Sequence, residues 1–239
     1  MPLVVWQEGM ALGFGYDEVR GDPKQRAVVG RSGPPDNAAG QSGEFNLVLL
    51  KSAEEFDEAL DISARVGGGF GLFQGSAKFG FKKRCKVSSE APFCALRVVA
   101  INAYEQLTNP ELTEEAQTLL RNGNMKRFRE RFGDRFISGQ VTGVEFYGVV
   151  RIEAREVTRQ QEIAAKIQAS YGFFVNGGAS VSFNEQMSSS EHRIEIATYQ
   201  KAGLIQTCTS LAELFAPAKG APEAGRSGQA LPLAALPAP

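Results

Sequence analysis

Residues 132–153 read FGDRFISGQVTGVEFYGVVRIE, and within them Arg135 to Glu153 form the longest strand candidate of the chain, punctuated by Gly139, Gly143 and Gly148. Before it, Thr113-Glu-Glu-Ala-Gln-Thr-Leu-Leu120 and Met125 to Arg131 read as two short helices separated by Asn122-Gly123. Further upstream, Cys94 to Leu107 (CALRVVAINAYEQL) is a second long strand candidate, β-branched and aromatic throughout. Glu44 to Leu50 (EFNLVLL) suits a buried strand. Ser52-Ala-Glu-Glu55 behind it is a capping box, a hydroxyl for an orphan N–H with a glutamate three residues on, and predicts a helix to about Leu60.

On the C-terminal side, Thr158 is placed to cap a helix from Arg159 to about Ala169, where Ile163, Ala164 and Ile167 make one apolar stripe. Residues 176–186, NGGASVSFNEQ, alternate Ala179, Val181 and Phe183 with Ser180, Ser182 and Asn184, an amphipathic strand. A last strand from His192 to Gln200 and a short helix from Ser210 to Phe215 follow. Residues 216–239, APAKGAPEAGRSGQALPLAALPAP, lose all apolar period and read as a flexible tail. Residues 30–43, GRSGPPDNAAGQSG, read as a loop because paired prolines and four glycines oppose both helix and ladder. The expectation is an α+β domain over residues 1–215 and a tail over 216–239.

The chain has 239 residues, 43% of them hydrophobic, with 26 Lys and Arg against 27 Asp and Glu, enough to bury a core without a charged partner. No run of about 18 apolar residues predicts a transmembrane helix. The start, MPLVVWQEGMALGFGYDE, lacks a basic segment and carries Glu8, so no secretory signal is expected. Three cysteines, Cys85, Cys94 and Cys208, form neither a disulfide framework nor a zinc pattern. The 26 glycines cluster in GGGFG at 67–71 and NGG at 176–178.

Catalysis is not expected. The only histidine, His192 beside Glu191, reads as a surface residue, and no G-x-S-x-G elbow exists. Gly71-Leu-Phe-Gln-Gly75-Ser76 lacks the lysine of a phosphate loop, and GGGFGLFQ never completes G-x-G-x-x-G. No metal or other cofactor is called for. Two basic clusters, Lys78 to Lys86 with Phe79 and Phe81, and Arg121 to Arg135 with Lys126, Arg127, Arg129 and Arg131, read either as solvated faces or as surfaces for phosphates of nucleic acid or anionic lipid. Nucleic acid is the weakest of these. Arg20-Gly21-Asp22 reads as a polar turn. The segments Asp61 to Phe93 and Arg159 to Glu191 are each long enough for two membrane-crossing strands of about 9–11 residues and a turn. On pattern alone they fit loosely packed helices or surface loops as well.

Leu12-Gly13-Phe14-Gly15-Tyr16-Asp17, and Phe132-Gly133-Asp134-Arg135-Phe136 running on to Gly139 and Gly143, together resemble the membrane attack complex/perforin family. The first matches that family's opening L-G-x-G-[YF]-[DN]. The second matches its signature, with Arg135 where histidine is usual and Val144 where a second glycine is usual. Leu112-Thr113 with Ala116 before the signature, and Glu162 to Ala169 after it, keep the family's order from about residue 9 to 215.

The resemblance implies a bent four-stranded antiparallel sheet with two flanking helical clusters, Asp61 to Phe93 and Arg159 to Glu191. In such a fold the clusters unravel into β-hairpins, and a ring of subunits closes a barrel across a membrane. Gly139, Gly143 and Gly148 would permit the bend. Candidate membrane-inserting residues are Phe70, Leu72, Phe79, Phe81, Phe173, Val175, Ala179, Val181 and Phe183. The implied partners are membrane lipid or a membrane receptor, further copies of the chain joining a soluble monomer, and a second subunit for targeting, reached from the cytoplasm or by leaderless export. The alternative is a non-lytic scaffold of the same fold that binds a protein partner.

Overall fold

A computed structural model describes residues 3–34, 40–61, 76–85, 93–176, 192–201, 208–226 and 229–239. In chain order come strands β1 (Val4–Val5), β2 (Phe14–Asp17), β3 (Asp22–Arg26), β4 (Val28–Gly33) and β5 (Ser42–Leu50). Helices α1 (Ala53–Asp61) and α2 (Ser76–Cys85) lead to β6 (Phe93–Ile101) and β7 (Glu105–Leu112). Helices α3 (Glu114–Arg121) and α4 (Met125–Phe132) precede β8 (Arg135–Ala154), α5 (Val157–Val175), β9 (His192–Lys201), α6 (Leu211–Arg226) and β10 (Leu231–Ala238).

Strand β8 organises the sheet. Its C-terminal half pairs antiparallel with β6 and β9, and β6 pairs in turn with β5, giving the four-stranded antiparallel order β5-β6-β8-β9. Its N-terminal half changes partners near Gly143 and pairs with β10, β7 and β2. The changeover needs glycine: a Cβ on Gly143 would overlap the Ala100 carbonyl and crowd the Leu233 side chain.

Side chains alternate across a strand, so the two faces of the four-stranded region can be read from the register. One face carries the rows Phe45-Val98-Phe146, Leu47-Leu96-Gly148 and Leu49-Cys94-Val150-Ile196. Helices α5 and α6 cover it through Ile163, Ala164, Ile167, Tyr171, Leu211, Leu214 and Phe215, all nearly or fully buried. The other face mixes Leu50, Phe93, Ala95 and Val149 with the row Asn46-Arg97-Tyr147-Tyr199 and with Glu145, Arg151 and Glu195. Helices α1 and α2 cover this face with Phe56 and Phe81, both at 0% exposure. Phe56 stacks at 6.3 Å from Phe81 and edge-on at 5.5 Å from Phe93.

Several expected elements form as read. The capping box at Ser52 is made: Glu55 N–H donates to Ser52 Oγ at 3.1 Å, while Glu55 Oε2 accepts from Lys51 N–H at 2.6 Å. The two short helices form, and the structure adds their caps: Thr113 accepts from Ala116 N–H at the start of α3, and Asn124 accepts from Arg127 N–H at the start of α4.

Other expectations are corrected. The stretch from Cys94 to Leu107 is two strands, because Asn102 leaves the ladder and donates its side-chain amide to Thr142 Oγ1 at 3.0 Å and Gly225 O at 2.7 Å. Residues 30–33 extend β4 against β7 rather than looping. The helix after Glu156 starts before Thr158, which is not its cap, and continues to Val175 because Tyr171 and Phe174 pack edge-on and tilted against Phe215.

The largest correction concerns residues 216–239, expected as a flexible tail. Helix α6 runs to Arg226 with Pro217 and Pro222 inside it, and buries Ala218 and Ala221. Strand β10 then inserts between β1 and β8, with Leu233, Ala234 and Ala235 at 0% exposure. The register of β10 on β8 shifts beside Pro232 and Pro237, where a residue without an N–H is tolerated.

Candidate functional site

The two motifs lie about 115 residues apart in sequence and are joined in space. Gly13 N–H donates to Ile137 O at 2.8 Å, and its carbonyl accepts from Ala27 and Val28 N–H at 2.9 Å each. Gly13 has φ +80°, and a Cβ there would overlap the Val28 carbonyl. Gly15 pairs with Phe136 and lies flat on the Phe132 carbonyl, where a Cβ has no room. Gly133, at φ +78°, approaches the Tyr16 backbone equally closely. These three glycines are required by left-handed backbone or close approach.

Polar contacts complete the junction. Asp134 N–H donates to Tyr16 O at 3.2 Å, and Asp134 Oδ1 accepts from Glu18 N–H at 3.0 Å. Arg135, in the position where the signature usually has histidine, forms an ion pair with Glu18 at 2.9 Å. Asp17 closes the β2–β3 turn by accepting from Arg20 N–H at 3.1 Å. That bond, with help from nearby Lys24 and against partial desolvation, holds the Asp17 carboxyl below the usual aspartate range. Beneath the junction, Tyr16 packs with Met10, Ile137 and Ala235, and Phe132 with Ala27, Val28 and Ala116.

Replacing Gly133 or Gly15 by alanine is expected to destabilise the fold by about 2–4 kcal/mol, since backbone rather than a movable side chain fills the space. Gly33→Ala, where no atom lies within 4 Å of the added Cβ, is the control. Urea unfolding of the three variants measures the difference.

Gly139 and Gly148 also accept neighbours: a Cβ would strike the Tyr104 ring at Gly139 and Leu214 of α6 at Gly148. Val144, where the signature usually has a second glycine, is buried against the apolar face.

Both helical segments leave the four-stranded sheet at the same end, after Leu50 and Ala154, and return there at Phe93 and His192. Phe81 is buried under α1, whereas Phe173 and Val175 at the end of α5 are 61% and 43% exposed. Phe79 lies within α2. Phe70, Leu72, Ala179, Val181 and Phe183 lie outside the described residues. No described helix is long and apolar enough to cross a membrane.

Sequence reasoning missed a charged cluster beneath α1. Arg97 is 7% exposed and forms an ion pair with Glu44. Its Nε donates to Tyr147 Oη at 3.4 Å, and Tyr147 O–H donates to Glu145 Oε1 at 2.6 Å. Burial and the neighbouring Glu145 push the Tyr147 phenol well above its ordinary range, so it stays a donor. The available signal was one charge inside each of two apolar runs, Arg97 in CALRVVAI and Glu145 in GVEFYGVV.

No family model matches the sequence, and no curated protein sequence matches it. Among solved structures, stonustoxin is similar over 99% of this chain, with 15% identity and a TM-score of 0.52. The fold is perforin-like. The chain spans about a third of stonustoxin's length, 31%. Astrotactin-2, described as a vertebrate-specific, perforin-like membrane protein of neuronal development, matches over 97% of this chain and 42% of its own, with 11% identity and a TM-score of 0.43. A cell invasion protein with a MAC/perforin domain from Bacteroides thetaiotaomicron matches over 72% of this chain and 42% of its own, with 14% identity and a TM-score of 0.31. In this perforin-like fold the four-stranded order β5-β6-β8-β9 carries one helical segment between its first two strands and another between its last two.

Proposed function

We propose that this protein forms pores: subunits assemble on a membrane and each inserts two β-hairpins, made from the segments Asp61 to Phe93 and Arg159 to Glu191. One observation carries the reading. Both segments leave one end of the four-stranded sheet, on its two faces, while β5 and β9 each have one strand partner among the described residues. Extending four strands from that end makes two hairpins. Joining β9 of one subunit to β5 of the next satisfies the open edges, which lipid does not tolerate. The partners are membrane lipid and further copies of the chain, and no enzymatic step is involved.

The test is dye release from vesicles of neutral, anionic and sterol-containing lipid, with electron microscopy of the same vesicles. Release together with ring-shaped assemblies is expected. Neither release nor rings on any of these lipids contradicts the proposal. Phe173 is the exposed apolar residue on α5 most suited to first contact. Phe173→Asp is therefore expected to lower vesicle binding severalfold in a flotation assay while leaving the unfolding free energy within about 0.5 kcal/mol of the parent, as for other exposed positions.

A further inference from the structure

Between the C-terminal end of α2 and strands β8 and β9 lies a cavity of about 350 Å³, lined by Arg84, Cys85, Val149, Arg151, Glu195, Ile196 and Ala197. It is far larger than the ~30 Å³ share of one water molecule. We propose that it is a binding site for a phosphate group, held between the guanidiniums of Arg84 and Arg151.

The charges around the cavity are incompletely matched. Arg151 Nη1 bonds Glu153 at 2.8 Å and reaches Glu195 at 3.5 Å, while its buried Nε has no hydrogen-bond partner. Glu195 is shared with Arg193 at 3.4 Å. The contacts of Arg151 and Arg193 with Glu195 are longer than the ~2.7–2.9 Å of a good charge-assisted bond. Among the described residues no carboxylate pairs with Arg84, whose exposed guanidinium lies 5.8 Å over the Phe81 ring. Arg84 and Arg151 therefore both keep guanidinium N–H groups for a further acceptor. Guanidinium forks on separate elements suit the several oxygens of a phosphate. Val149 and Ala197 supply an apolar wall that weakens competition from water. The Cys85 thiol, pushed up to about 12 by burial, contributes no negative charge.

The cavity borders the row of Leu50, Phe93, Arg151 and Glu195, the last that spans all four strands and the point where the first helical segment leaves the sheet. That position suits the phosphate of a lipid headgroup as well as a free phosphate. Only the lipid source rests on the proposed pore function; the site itself does not.

Inorganic phosphate titrated into the full chain, followed by calorimetry, tests the site. Saturable binding is expected, weakened roughly tenfold in Arg84→Ala by loss of one charge-assisted contact. Binding should tighten severalfold in Glu195→Gln, which removes the competing carboxylate; a purely structural role for Glu195 gives no such gain. Flotation with phosphatidylcholine vesicles, with and without phosphatidic acid, separates the sources. Loss of the phosphatidic-acid-dependent fraction in Arg84→Ala assigns the site to a headgroup. An unchanged fraction, with weakened inorganic phosphate binding, assigns it to free phosphate. No phosphate binding, or binding equal in the parent and both variants, overturns the proposal. The titration reads the same whether or not the protein permeabilises vesicles.

Discussion

A disulfide between Ala164→Cys on α5 and the native Cys94 on β6 is expected to abolish vesicle leakage, and reduction to restore it in full. Cys94 Sγ lies 4.0 Å from the Ala164 carbonyl and both residues are at 0% exposure, so the two positions meet in the interface between α5 and the sheet. The bond pins the middle of α5 to the apolar face of the sheet. Insertion of the segment Arg159 to Glu191 requires that contact to break, so a covalent tie blocks it whatever its effect on stability. Binding to vesicles should persist in the oxidised protein, because Phe173 and Val175 remain exposed. Dye release before and after addition of reductant measures the difference. Equal leakage in both states contradicts a role for α5 in insertion.

The second large effect is expected at Arg97. Arg97→Leu leaves Glu44 and Glu145 on the buried face under α1 without their shared cation, one bonded directly and the other through Tyr147. Stripping one partner from a buried ion pair typically costs about 3–5 kcal/mol, because the remaining charge has lost its solvent as well. The double variant with Glu145→Gln should recover part of that loss, since a neutral amide can still accept from Tyr147. Urea unfolding of parent, single and double variants measures it. A loss below about 1 kcal/mol in Arg97→Leu would mean that water reaches the cluster and that α1 covers it only loosely.

The charged cluster also separates the two helical layers physically. Helices α5 and α6 rest on an almost wholly apolar face, whereas α1 and α2 bury Phe56 and Phe81 beside Arg97, Glu145 and Arg151. Apolar burial contributes roughly 25 cal/mol per Å², and the mixed face offers less of it. Amide exchange in α1 and α2 is therefore expected to be faster than in α5, a difference that hydrogen-exchange mass spectrometry resolves by segment.

Local signals were legible where one interaction decides the structure. The hydroxyl and glutamate spacing at Ser52 and Glu55, the two short helices around Thr113–Leu120 and Met125–Arg131, and the long run of β8 each form as read. Residues 12–17 and 132–136 could be recognised as motifs, but not the reason for their glycines, which is the mutual contact of the two backbones. Alanine and proline in residues 216–239 carry no period, and β10 is ordered by tertiary burial that local propensity does not encode. Arg97 and Glu145 looked like isolated charges because their register, and Tyr147 between them, exists only once β6 and β8 pair. Helix α5 outran its apolar stripe because Phe215, on a helix far along the chain, receives Tyr171 and Phe174.

The central claim is that a helical segment becomes a membrane-spanning hairpin, and its signature is a change of period. Replacing the native buried thiols Cys85, Cys94 and Cys208 by alanine leaves an introduced cysteine as the single labelling site, at buried and exposed positions alike. A polarity-sensitive fluorophore placed at successive positions from Val157 to Val175, one per variant, reads lipid contact residue by residue. In solution the signal should follow the roughly 3.6-residue period of α5. On vesicles it should switch to strict alternation, every second residue in lipid and the others in water. A period near 3.6 on membranes that are leaking would contradict the account.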